Sequence, residues 1–300
     1  MILVAGGSGF IGSAVVRRLV RGGNEVAVMT AHPDRSAKRI ADMGASVVAG
    51  DVTDEGSLRT AVSGANAVVQ ALTFPTFPVE KRSKGFTFEE FDHRGTARLV
   101  SACRGAGVRK FVYCSGSGAA AGAAEVWFRA KWAGEEAIRA SGIEHAIIRP
   151  SWAYGPEDRA LNAFVALHRW LPFVPVIGDG SQRLQPAFIE DVAEVFAQAT
   201  VPGGPAGTFE IGGPDVLSMN EVLRTMMEVR RRPKPLVHFP AWMPKLAGAF
   251  LQYLPKPPLS PDAVSFLTGD ALADTRALVE AFRVELTPLR EGLGYLAPSS

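Results

Sequence analysis

Cysteine is nearly absent: Cys103 and Cys114 are the only two in 300 residues. Two thiols are too few for a disulfide scaffold or a zinc cage, so the fold must rest on an apolar core. Cys114 sits in an apolar run, where a buried, inert thiol is the default. Charge of one sign is lacking as well, since 32 Lys and Arg against 30 Asp and Glu leave a formal net charge of +2. That balance gives no electrostatic footprint for nucleic acid. The one dense basic cluster, Arg230-Arg231-Arg232-Pro233-Lys234, follows a helix-like stretch from Asn220 to Val229, where cations offset the helix dipole. His93, His145, His168 and His238 have no mutual ligand spacing, and no metal site is expected. No uninterrupted apolar run reaches the length of a membrane span. Met1 leads directly into a strand and a glycine turn, not into a signal peptide, and the expected location is cytoplasmic.

Short β-branched runs are present instead, alternating with amphipathic stretches. Strands are predicted over Ile2–Ala5, Glu25–Met29, Ser46–Ala49, Ala67–Gln70, Lys110–Cys114 and His145–Ile148. Helices are predicted over Ile11–Arg21, Ser57–Val62, Gly95–Ala106 and Phe128–Ser141. Strands alternating with helices imply parallel βαβ units and a doubly wound α/β sheet. The strand runs are unalternated, as expected for strands covered on both faces. After Pro150 prolines and aromatics crowd the chain, while Phe188–Ala199 and Thr208–Ile211 still read as a helix and a strand of the first domain. The organisation expected is a dinucleotide-binding domain over 1–155, with 185–212 returning to it. A small interleaved C-terminal lobe takes 156–184 and 213–300.

Gly6-Gly7-Ser8-Gly9-Phe10-Ile11-Gly12 follows a strand and opens a helix. In that context a glycine-rich turn lets backbone N–H groups approach a pyrophosphate at the helix N-terminus, the Rossmann arrangement for NAD(H) or NADP(H). The alternative is a tight turn without a ligand. Asp51, after the third strand with Val52 beside it, is a candidate acceptor for the adenine amino group; the alternative is a helix N-cap, which Thr53 or Asp54 can also supply. The second strand ends Val28-Met29-Thr30-Ala31 with no acid to bond the ribose hydroxyls. His32, Arg35, Lys38 and Arg39 follow, a pattern that favours NADP(H) over NAD(H), unless those cations are ordinary solvated groups on a helix.

With these pieces, Asp92-His93-Arg94-Gly95-Thr96, Gly107–Tyr113, Arg149-Pro150, Tyr154-Gly155-Pro156 and Ile189–Ala193, the sequence resembles the short-chain dehydrogenase/reductase superfamily in its extended and atypical branches. It is similar to NAD-dependent epimerase/dehydratase-like proteins, to NmrA-like proteins and to the nucleotide-binding accessory subunit of respiratory complex I. The resemblance implies further cofactor contacts from Ala71, Leu72, Thr73, Cys114, Lys131, Pro150 and Trp152. It also implies a Tyr-x-x-x-Lys pair on one helix face, the lysine holding the nicotinamide ribose and the tyrosine exchanging a proton. Here that segment reads Trp127-Phe128-Arg129-Ala130-Lys131. The lysine is kept, but the tyrosine is a tryptophan, whose indole N–H only donates. The catalytic hydroxyl expected after the fifth strand falls at Gly116, with Ser115 and Ser117 on either side. Asp92 stands where active extended members often carry Asn and is assigned no catalytic role.

Two functions remain open on this reading. One is an NADP(H)-linked oxidoreductase or epimerase-like enzyme acting on an apolar or sugar-derived carbonyl or a quinone, with Ser115, Ser117 and Lys131 as its catalytic residues. Ser117, His93 and Tyr154 are then its candidate proton donors. The other is a non-catalytic nucleotide-binding accessory, assembly or redox-sensing protein. Gly178–Arg183 reads as a hairpin-type turn, and Arg183 is a candidate for a substrate diphosphate. Phe239, Trp242, Met243, Phe250, Leu251 and Tyr253 within 235–259 suit a hydrophobic ligand, a protein partner or a membrane surface, or else form the small lobe's core.

Overall fold

Small and β-branched apolar residues make six strands in the first half of the chain: β1 (Ile2–Ala5), β2 (Val26–Thr30), β3 (Ser46–Ala49), β4 (Ala67–Gln70), β5 (Lys110–Cys114) and β6 (Glu144–Pro150). Between them run α1 (Phe10–Arg21), α2 (Pro33–Asp42), α3 (Glu55–Ala61), α4 (Thr96–Gly105) and α5 (Val126–Ala140). Beyond Pro150 follow β7 (Trp152–Tyr154), α6 (Ala160–Trp170), β8 (Val174–Ile177), β9 (Arg183–Leu184), β10 (Pro186–Phe188) and α7 (Ile189–Thr200). The chain continues with β11 (Gly207–Ile211), β12 (Leu217–Ser218), α8 (Met219–Val229) and β13 (Leu236–Phe239). The computed structural model describes residues 1–240, 242–243 and 268–298.

Seven of these strands form one sheet in the order β11-β6-β5-β4-β1-β2-β3. Every pairing in it is parallel. Order and direction make this a doubly wound, Rossmann-type α/β sheet, in which the strand order reverses between β1 and β4. One face packs Val4, Val28, Val69, Val112 and Ile148 against α1 and α7. The other packs Leu3, Ala27, Val68, Phe111 and Ile147 against α3, α4 and α5. Leu278 and Phe282, from a short helix (Arg276–Ala281) and the residue after it, join the first core, where Phe282 meets the Phe209 ring edge-on at 5.0 Å. A third core gathers Trp152, Tyr154, Leu161, Val174, Val176, Met219, Leu223 and Met226 beside the sheet.

Elements that differ from expectation do so for local reasons. α2 is absent from the predicted helices because Ile40 is its one buried residue. Full burial of that side chain contributes about 2 kcal/mol, and Pro33 at the first turn starts the helix at little cost. A π-helical turn, Glu89–Gly95, precedes α4. The 178–182 segment turns but makes no hairpin, since β8 pairs in parallel with β13 and β9 pairs antiparallel with β12. In the basic cluster, Lys234 Nζ donates to the carbonyls of His168 (2.6 Å) and Leu171 (2.7 Å), so it caps α6, not the helix it follows in sequence. Phe250, Leu251 and Tyr253 lie outside the described residues; Trp242 and Met243 are exposed. Among the described residues, no helix is long and apolar enough to cross a membrane.

Candidate functional site

The glycine turn is set by backbone contact. Gly6 has φ of 86°, and a Cβ there would lie 2.4 Å from the Ala71 carbonyl oxygen; a Cβ on Gly12 would lie 2.1 Å from the Gly6 carbonyl oxygen. Residues without side chains therefore let β1, the start of α1 and the loop after β4 meet directly. Gly9 is the N-cap of α1, with no side chain capping it and no acid in the first turn. The first N–H groups of a helix lack partners within it, and the dipole there favours an anion. Ser8, Gly9, Phe10 and Ile11 are at least partly exposed at this end, and Ala71, Leu72 and Thr73 leave β4 beside it. This is the crevice at the reversal of strand order, where ligands of open α/β sheets bind. These residues fit a dinucleotide pyrophosphate.

At the end of β2 the backbone N–H of His32 donates to Thr30 Oγ1 at 3.1 Å. His32 and Arg35 are exposed at the start of α2, and Lys38 is exposed further along it. Arg39 donates to Glu157 at 2.7 Å. Asp51 Oδ1 accepts from the backbone N–H and the hydroxyl of Thr53, at 2.8 and 2.7 Å, while Asp54 caps α3. Val52 is buried beneath Gly95, whose added Cβ would lie 3.0 Å from its side chain.

Lys131 projects from α5 towards the C-terminal end of β5. Its Nζ lies 2.8 Å from Asp92 Oδ1 and donates to the Cys114 carbonyl at 2.8 Å. The ammonium also stands over the Tyr113 ring, 5.1 Å from the centroid. Asp92 is 3% exposed on the π-helical turn, and Gly134 lets α5 approach that turn, since a Cβ there would sit 2.4 Å from the Asp92 carbonyl oxygen. Burial works against the Lys131 ammonium, but Asp92, with Tyr113 and Cys114 adding to it, holds the lysine above its usual range. Burial pushes the Asp92 carboxyl up, with Lys131 pulling the other way. Asp92 is the residue that the sequence reading missed. Its signal was the acid standing in place of the usual Asn.

The hydroxyls expected beside Lys131 are committed elsewhere. Ser115 is buried and donates to Glu135 Oε1 at 2.5 Å; Glu135 in turn receives Arg149 at 2.8 and 2.6 Å and Arg139 at 2.7 Å. Ser117 donates to the Leu272 carbonyl and lies 3.4 Å from Glu210 Oε2, and its backbone N–H donates to Pro150 O at 3.0 Å. Each serine hydroxyl therefore has a hydrogen-bond partner other than the lysine. Gly116 faces the Phe128 ring, with 3.6 Å between an added Cβ and that ring. Tyr154 is buried in the third core, its ring 5.6 Å from Phe188, and His93 pairs with Glu89 at 3.1 Å. Neither belongs to this site.

Aromatic side chains wall it instead. Trp127 lies between Phe88 (6.1 Å between centroids) and Phe128 (5.6 Å). Phe74 meets Phe88 edge-on at 4.9 Å, and Phe86 and Phe91 pack beside them. Asp158 and Asn162 bind backbone atoms from Gly155 to Leu161, Trp152 and Phe164 are core residues, and Trp170 is exposed with Arg169 stacked on it. Arg183 donates its backbone N–H to Asp270 at 2.8 Å.

Comparison with known proteins agrees with this geometry. Residues 6–165 match a family described as NAD(P)H-binding. The chain belongs to that family. It is 30% identical over 291 residues to NADH dehydrogenase (ubiquinone) 1 alpha subcomplex subunit 9, mitochondrial, of Arabidopsis thaliana, covering 92% of this chain and 71% of that one. The rat counterpart is 29% identical, and the chain spans 66% of its length. In fold it is similar to the NADPH-dependent quinone oxidoreductase QOR2 of Escherichia coli complexed with NADPH, with a TM-score of 0.75, 19% identity and 99% coverage of both chains. It is similar also to the UDP-glucose 4-epimerase of Thermus thermophilus in complex with NAD, with a TM-score of 0.72, 21% identity, and 98% and 96% coverage.

Proposed function

We propose that this family member holds a nicotinamide dinucleotide across the β1–β4 crevice, with Lys131 on its ribose, and acts as an accessory or redox-sensing protein without reducing carbonyls itself. The observation that carries this reading is the surroundings of Lys131. A tryptophan occupies the tyrosine position, and both flanking serine hydroxyls are bound to Glu135 and Leu272. Carbonyl reduction and sugar epimerisation both need a side chain that exchanges a proton as hydride moves. The tryptophan cannot supply one, and the two serine hydroxyls are engaged with other partners. Resemblance to the mitochondrial subunit supports a role exerted on a protein partner, through the small lobe and its 235–259 segment. His32 and Arg35, exposed at the end of β2, support NADP(H) over NAD(H), with Asp51 and Val52 on the adenine side and backbone from Pro150 to Trp152 at the carboxamide.

The aromatic wall favours one further reading: hydride transfer to a flat, conjugated acceptor such as a quinone, which can take its proton from water afterwards. Incubation with NADPH and a panel of aldehydes, nucleotide sugars and quinones tests both. The proposal expects thermal stabilisation by the nucleotide and no oxidation of it with any aldehyde or sugar. Oxidation with quinones alone would favour the second reading, and steady turnover of a carbonyl would contradict both.

A further inference from the structure

We infer that Asp92, by cancelling the charge of Lys131, shifts this site's preference towards the oxidised nicotinamide dinucleotide. The inference rests on the proposed nucleotide binding and concerns the charge that the chain places beside the ring. Lys131 has three N–H donors. One points to Asp92 Oδ1 and a second to the Cys114 carbonyl, each at 2.8 Å, which leaves the third for a ligand. The two side chains are 16% and 4% exposed, so water screens the pair poorly.

Charge bookkeeping decides the direction. A nicotinamide ring carries one positive charge when oxidised and none when it has accepted hydride. A lysine at the ribose with a neutral Asn behind it presents an unbalanced cation, which disfavours the oxidised ring. Here the carboxylate balances the ammonium, and that penalty disappears. The other groups against the pair do not replace the missing charge. Tyr113 and Cys114 are held neutral by burial, the thiol pushed up to about 11, and Thr96 is uncharged. Glu135, one helical turn beyond Lys131, is balanced by Arg149 and Arg139. Unit charges several ångströms apart near a protein surface interact strongly enough for a shift of about tenfold in relative affinity, equivalent to about 1.4 kcal/mol.

The test is calorimetric titration of the whole protein with the oxidised and reduced forms of whichever dinucleotide it binds more tightly, repeated with Asp92→Asn. Asn keeps the shape and can still accept from Lys131 through its amide oxygen. Asp92→Asn should move the ratio of dissociation constants about tenfold towards the reduced form. An unchanged ratio, with both forms still bound, would overturn the role of Asp92 and leave the nucleotide site standing. Failure of the wild type to bind either form would overturn this inference together with the reading on which it rests.

Discussion

Trp127, Lys131 and Asp92 form a unit in which each residue changes what the others can do. The four-residue spacing of Trp127 and Lys131 puts both on one face of α5, and their identities were legible from the sequence. Their environment was not, because Asp92 is 39 positions earlier and nothing local records a contact across that distance. Buried pairs of this kind punish removal of one partner by about 3–5 kcal/mol. Asp92→Asn leaves the Lys131 ammonium unbalanced and carries part of that cost, but it keeps an oxygen acceptor for the lysine. The pair also predicts what a restored tyrosine would do. In Trp127→Tyr the balanced lysine should leave the new phenol titrating near its ordinary alkaline value. Adding Asp92→Asn should lower it by about one unit, since one unit corresponds to ~1.4 kcal/mol of interaction with the freed cation. Ultraviolet absorbance of tyrosinate reads this as a difference between the variants: burial pushes Tyr113, Tyr154 and Tyr295 upward, and Tyr253 is common to both. Identical titrations in the single and double variants would contradict the balancing role of Asp92.

Among the elements, the four strands β1, β3, β4 and β5 coincide with the sequence prediction to the residue. Three of them lie inside the sheet, where continuous apolar runs are required, and β3 keeps the same composition at its edge. β6 runs two residues further than its apolar core predicts because Pro150 still pairs with Ile211 across to β11. The small lobe was less legible, since β9 and β12 have two residues each and exist only through their partners. The aromatic wall draws on phenylalanines between Phe74 and Phe91, and its place beside Trp127 depends on the fold. The turn joining β1 to α1 yields an element-scale prediction. Gly12→Ala puts a methyl into the Gly6 carbonyl and must push α1 away from the turn. The expected cost is about 1–3 kcal/mol in stability by denaturant unfolding, as for other overpacked sites. Nucleotide affinity should fall by about tenfold or more. Unchanged affinity would place the nucleotide away from this turn.

Over the whole molecule, the C-terminal segment clasps the loop that follows β5. Ser117 reaches the Leu272 carbonyl, Glu210 accepts the backbone N–H of Asp274 at 2.9 Å, and Gln185 accepts that of Ala273 at 3.0 Å. Ser117, a candidate for the catalytic hydroxyl in the sequence, here joins two parts of the chain. Family membership, the glycine turn and the retained lysine all point to the same ligand. Calorimetric titration of the purified protein with NADPH and, separately, NADH tests that account most directly. It predicts saturable binding of one molecule per chain, with NADPH the tighter through His32 and Arg35. Tighter NADH would remove the phosphate-reading role of those two residues, and no binding of either nucleotide would contradict the central claim.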